Sequence, residues 1–157
     1  MTGATDVRQL SLNNLTRNPM YQNDIGTLVK DALCEAGCDA GLIGNLDQRA
    51  TVEIAMKDAP TIYIGYKDES EQGVMIWAAV CEYSENLVRL RADRFLEILM
   101  SGISFGVNHQ LLFREAEGEL QISAEFLPET LQDSAKMADA IQEFFDVLVA
   151  FVDVSKQ

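Results

Sequence analysis

The chain has 157 residues, with 12 Lys and Arg set against 25 Asp and Glu, for a formal net charge of −13. That excess of carboxylates repels phosphate backbones and anionic lipid, which argues against nucleic acid and membrane as direct ligands and favours basic partners. Hydrophobic residues at 48% suffice for one packed domain, not two. The longest apolar run, Val74 to Cys81, is far shorter than the ~20 residues of a membrane span. Three cysteines make no disulfide framework, and no basic-then-apolar secretory signal is evident, so a cytoplasmic protein is expected.

Residues 1–22 are polar, rich in Asn and Thr, and contain Pro19; they read as a flexible N-terminal extension. Val7, Leu10, Leu12 and Leu15 could dock a short helical turn, and Leu10, Leu12 and Leu15 could lay the tail over a client groove. Residues 23–157 form the single domain. Ile25, Leu28, Val29, Ala32, Leu33 and Ala36 recur at three- and four-residue spacing, a helical stripe with Asn23 as its expected N-cap and Gly37 at its end.

Three strands are expected next. Val52, Ile54 and Met56 alternate with Thr51, Glu53 and Ala55; Ile62, Ile64 and Tyr66 follow a turn at Asp58 and Pro60; Val74–Cys81 is apolar on both parities. A strand apolar on both sides calls for cover on both faces, from the chain's own helices and from another helix or a partner. A second helix spans about Ser84 to Ser101, stopped by Gly102. His109–Ala116 and Glu119–Phe126 then make a hairpin around Glu117-Gly118, with Leu120, Ile122, Ala124 and Phe126 inward. Beyond Pro128 a last helix carries Met137, Ala138, Ile141, Phe144, Phe145, Leu148, Phe151 and Val152. The fold class is therefore α+β in the order α-β-β-β-α-β-β-α, a twisted antiparallel sheet with flanking helices.

Chemical signatures are weak. Cys34 and Cys38 share one end of a helix but lack two further ligands for a metal; His109 stands alone; Gly41-Leu42-Ile43-Gly44 lacks the Lys and Thr of a phosphate loop. The carboxylates are spread along exposed positions. No enzyme, cofactor or metal is expected.

The segment Gly37-Cys38-Asp39-Ala40-Gly41-Leu42-Ile43-Gly44-Asn45-Leu46-Asp47 resembles the corresponding stretch of class I type III secretion chaperones of the InvB/SpaK type. The resemblance continues in Ala59-Pro60-Thr61-Ile62-Tyr63-Ile64, Lys67-Asp68, Ile76-Trp77-Ala78, Gln110-Leu111-Leu112 and Gly118-Glu119-Leu120, over roughly residues 25–151. It implies a homodimer that holds the N-terminal segments of several secreted effectors in an extended state and hands them to the export apparatus, the secretion ATPase included. For the effector groove the expected residues are Leu33, Leu42, Ile43, Val52, Ile54, Ile62 and Ile64, with Ile54 and Ile64 equally explicable as core. For the dimer interface they are Leu87, Leu90, Arg91, Arg94, Phe95 and Ile98, because the second helix is apolar over more than one face, and Trp77 on the third strand, equally explicable as core. Arg89, Arg91 and Arg94 either cross that interface or pair with Glu85, Asp93 and Glu97 on their own helix. The alternative reading is a non-enzymatic scaffold or regulatory domain that binds a folded partner.

Overall fold

Helix α1 (Ile25–Glu35) buries Ile25, Leu28, Val29, Ala32 and Leu33, the stripe expected from their spacing, in a computed structural model that describes residues 24–37, 51–68, 70 and 72–157. The N-cap is Asp24 rather than Asn23, which lies outside the described residues. Its carboxylate accepts from the Thr27 amide at 3.0 Å and from the Thr27 hydroxyl at 2.6 Å, satisfying a donor that has no partner within the helix. The helix ends at Ala36 and Gly37, where φ is +82°; Ala36, expected on the buried stripe, is exposed at the C-cap.

Strands β1 (Val52–Ile54), β2 (Ile62–Tyr66), β3 (Val74–Glu82), β4 (Leu112–Ala116) and β5 (Glu119–Glu125) form one antiparallel sheet in the order β1-β2-β3-β5-β4. Register places Ile64 opposite Val52 and Ile76, and Ile122 opposite Ala78 and Phe113, so these side chains share one face. On β5 the expected alternation is observed: Leu120, Ile122, Ala124 and the following Phe126 are all buried. The β4–β5 hairpin closes through two residues, Glu117 and Gly118, both at positive φ (54° and 84°), the geometry whose twist matches the flanking strands.

Helix α2 (Glu85–Ser101) starts at an N-cap, Ser84, and stops at Gly102, where φ is +66°. Helix α3 (Ser134–Ser155) is capped by Asp133, which accepts from the Ala135 amide at 2.8 Å, and it buries Met137, Ala140, Ile141, Phe144, Leu148 and Phe151. Phe151 stacks on Phe95 of α2 with centroids 5.4 Å apart, and both rings touch Phe113 of β4 at 4.9 Å. Since Phe113 shares the face of Ile122, α2 and α3 lie on the same side of the sheet. Helix α1 packs beside α3 and joins the same continuous core.

Two expectations change. The flanking helices are present, but all three lie on one face, so the cover expected on both faces of β3 is found on one: its outward side chains (Met75, Trp77 and Ala79) stay half-buried with no helix over them among the described residues. Among the described residues, dual-parity apolarity therefore corresponds to a half-buried apolar patch on the second face. A bulge contributes as well. Ala79 pairs with Gln121 and Cys81 with Leu120, which leaves Val80 extra and turns Cys81 back toward the helices. The second change concerns β4, which begins at Leu112 and not at His109. Residues 107–109 make a 3-10 turn in which Asn108 and His109 sit at φ 58° and 55°, and the Ile103 amide donates to the His109 carbonyl at 3.2 Å.

Candidate functional site

Where α1 ends, β1 ends and α3 begins, the three elements enclose a groove of about 130 Å³. Leu33 and Ala36 come from α1, Ile54 and Met56 from β1 and just beyond it, and Ala138, Ile141, Gln142 and Phe145 from α3. Its lining is apolar because α3 carries two stripes. One faces the core through Met137, Ile141, Phe144 and Leu148; the other, Ala138, Phe145 and Val152, is only half-buried. The one amide present, Gln142, is engaged elsewhere, its Nε2 donating to Asp146 Oδ1 at 3.0 Å. The hydroxyl of Ser134 donates to the Glu35 carboxylate, an exposed link between the end of α1 and the start of α3. Acidic Glu35, Glu53, Asp139 and Asp146 adjoin the lining residues in sequence and are exposed or surface-placed.

Beside the groove lies the edge of the sheet. Among the described residues β1 pairs only with β2, so its outer row of amides and carbonyls is unpaired. A chain segment pairing there would send alternate side chains into the groove and out over Glu53.

The structure sorts the expected groove residues. Leu33 and Ile54 are core residues, 4% and 2% exposed, and reach the groove only as the edge of its floor. Val52, Ile62 and Ile64 have 0% of their surface exposed; they belong to the core and offer a ligand no contact surface in this conformation. Leu42 and Ile43 lie outside the described residues. Met56, Ala138, Ile141 and Phe145 were not anticipated as lining, although three of them stand on α3, whose apolar residues outnumber one face.

On α2 a second apolar surface appears. Leu90, Leu96 and Met100 are 69%, 53% and 76% exposed, unusual for large apolar side chains, while Leu87 and Ile98 are half-buried against the core. Phe95 is 2% exposed and stacks within its own chain, so it belongs to the core and not to a surface. Trp77 points from the opposite face of the sheet and is not contiguous with α2. Arg89 pairs with Glu85 on its own helix at 2.8 Å, an exposed contact worth little. Arg94 is exposed, and Arg91 is half-buried with an Nε that finds no acceptor among the described residues.

Burial pushes the Cys81 thiol above its ordinary range, with a hydrogen bond to Ser155 opposing the shift. Among the described residues no three His, Cys, Asp or Glu side chains gather as metal ligands, and no helix is long and apolar enough to cross a membrane.

One antiparallel sheet with three helices on one face is an architecture shared with a type III secretion chaperone. The structure is similar to that of the chaperone SycH from Yersinia pestis, solved with a fragment of YscM2, with a TM-score of 0.53, 8% identity, and coverage of 81% of this chain and 98% of that one. YbjN from E. coli shares the architecture at a TM-score of 0.51, 12% identity, and 81% and 88% coverage, so the fold alone is not confined to chaperones. Sequence decides the family. Residues 37–117 match the Invasion protein B family, and the surface presentation of antigens protein SpaK of Salmonella typhimurium is 36% identical over 132 residues, covering 84% of this chain and 96% of SpaK. This chain belongs to the Invasion protein B family, as its resemblance to InvB/SpaK-type chaperones led one to expect.

Proposed function

We propose that this protein is a type III secretion chaperone that binds the N-terminal segments of effectors in the bacterial cytoplasm and keeps them non-globular and ready for export. The observation that carries this reading is the apolar groove set against an edge strand that, among the described residues, is paired on one side only. Backbone pairing with β1 is blind to sequence, so it suits several clients, while the groove selects for an apolar side chain at one position. A volume near 130 Å³ is comparable to the ~150 Å³ cavity that accepts benzene, room for one large aliphatic or aromatic side chain. Each such side chain buried gains about 1.5–3 kcal/mol, against about 1–2 kcal/mol for each client residue whose backbone is ordered. One groove therefore cannot hold a client alone, and repeated sites are needed.

A homodimer supplies the repetition. Leu90, Leu96 and Met100 on α2 form its contact, with Leu87, Ile98, Arg91 and Arg94 at the margins; a twofold axis would repeat each contact and offer Arg91 an acceptor from the other copy. The client then passes from one groove to its symmetry mate, and from there to the secretion ATPase. The test is light scattering on a size-exclusion column, with the protein alone and co-expressed with N-terminal effector fragments. A species of about twice 17.4 kDa that takes up one fragment per two chains is expected; a monomer that captures no fragment overturns the reading.

A further inference from the structure

The charged residues of α2 divide into two groups. Arg89 pairs with Glu85 on its own helix. Arg91, Asp93, Arg94 and Glu97 have no such pairing: through their side chains these four make no hydrogen bond or ion pair among the described residues. Arg94 and Glu97 stand three apart, a spacing that lets opposite charges meet along a helix, and they still do not pair. Asp93 and Glu97 lie two residues before and after Phe95, which sets them on the side of the helix turned from the core, on the face of Leu90, Leu96 and Met100. Both are exposed, as is Arg94. Arg91 lies one turn back from Arg94, half-buried, its Nε without an acceptor.

A contact made by the same patch on both subunits needs both members of every pair on one surface. This face supplies them: two cations and two carboxylates between Arg91 and Glu97, with Leu90 and Met100 at either end. A partner segment of one sign, basic or acidic, would be opposed by half of these charges.

We propose that this charge pattern fits α2 to a second copy of the chain laid antiparallel, with Arg94 of each copy bound to Glu97 of the other. The inference rests on the α2 dimer of the proposed function and names its register. A twofold axis level with Phe95 puts Leu90 beside Met100, which stand five residues either side of it, and Leu96 beside its own symmetry mate. Arg94 then differs in height from Glu97 of the second copy by one helical step, about 1.5 Å. In the same register Asp93 and Glu97 approach each other from the two copies, and Arg94 is the cation placed between them. Two copies of net charge −13 repel at a distance. At physiological salt that field decays over about 8 Å, so the pairs act at contact, where they set register and partner rather than draw copies together.

Sedimentation equilibrium on the full chain at physiological salt measures the dimer Kd. Arg94→Glu turns both symmetric pairs into like charges and should weaken the dimer by about 10- to 100-fold. Its thermal melt should not move, because Arg94 is exposed and unpaired within its own chain. Adding Glu97→Arg to the same chain exchanges the members of the pair and should return Kd to within about threefold of the parent. Lys30→Glu, an exposed position on α1 with the same change of charge, should leave Kd as it is. A full-strength dimer in Arg94→Glu, a double variant as weak as Arg94→Glu, or an equal loss in Lys30→Glu would each overturn the pairing. If Leu90→Asp with Met100→Asp gives monomers while Arg94→Glu stays dimeric, the α2 interface stands and the pairing falls. A parent that is monomeric at every concentration overturns both.

Discussion

Placing a carboxylate in the groove should separate client binding from folding. Phe145 sits on the second stripe of α3, half-buried, with its ring lining the groove beside Met56. In Phe145→Asp the client loses the apolar wall for one buried side chain, worth about 1.5–3 kcal/mol, which converts to roughly 10- to 100-fold in Kd. The protein itself loses only the buried half of one ring, about 1 kcal/mol, so the variant should remain folded, with Tm lower by only a few degrees. Isothermal titration with an N-terminal effector fragment, alongside a thermal melt, measures both. Met56→Asp on the facing wall provides the same test from β1. If both variants are folded and bind the fragment within twofold of the parent, the groove is not the client site.

Three other outcomes follow from particular contacts. Leu90→Asp combined with Met100→Asp should give a folded 17.4 kDa monomer by light scattering, whereas Phe95→Ala should cost about 3–5 kcal/mol of stability, because Phe95 is packed inside its own chain; a folded dimer from the first variant would move the interface off α2. Gly102→Ala should destabilise the fold by at least about 1–2 kcal/mol, since φ is +66° and the new Cβ would stand 2.7 Å from the His109 carbonyl oxygen, and an unchanged denaturation midpoint would contradict this. Burial holds the Cys81 thiol neutral and raises its pKa in the fold. The unfolded chain then binds fewer protons, so this contribution is fully present below the ordinary thiol value of 9.0 and is lost as pH climbs from there through the folded value. Melts at increasing alkaline pH should show a shallower decline for Cys81→Ala than for the parent, and identical slopes would refute the assignment.

Element order, the helical stripes and the β5 alternation were legible because burial repeats at fixed periods: 3.6 for Ile25 to Leu33, two for Leu120 to Phe126. What periodicity does not carry is which side of a sheet the helices take. Val74–Cys81 reads as covered on both faces, yet among the described residues no helix lies over its second apolar face, and the bulge at Val80 gives Cys81 the helix side that strict alternation denies it. The start of β4 was misplaced for a different reason. Asn108 and His109 adopt positive φ to bring the His109 carbonyl to Ile103, a loop contact without a sequence period. The groove was legible only in part, since its lining is assembled from three elements far apart in the chain. Leu33 and Ile54 reach its floor, but Val52, Ile62 and Ile64 are the same kind of residue, the three strand positions share the face of Ile54, and they differ only in being covered completely. Phe95 illustrates the same limit: on a helix apolar over more than one face, spacing does not tell which row is the inner one.

Helix α2 is fixed to the rest of the chain chiefly through one deeply buried ring, Phe95, in a three-phenylalanine cluster with Phe113 and Phe151. Its remaining outward positions answer to no interior neighbour. Selection can therefore rewrite Leu90, Leu96 and Met100 almost without reference to folding, and, with the dimer contact proposed on α2, the rules by which copies would recognise one another. Related chaperones in one cell could diverge in their choice of mate while conserving the scaffold, and mixed pairing would be suppressed or permitted by a few side chains on a single helix.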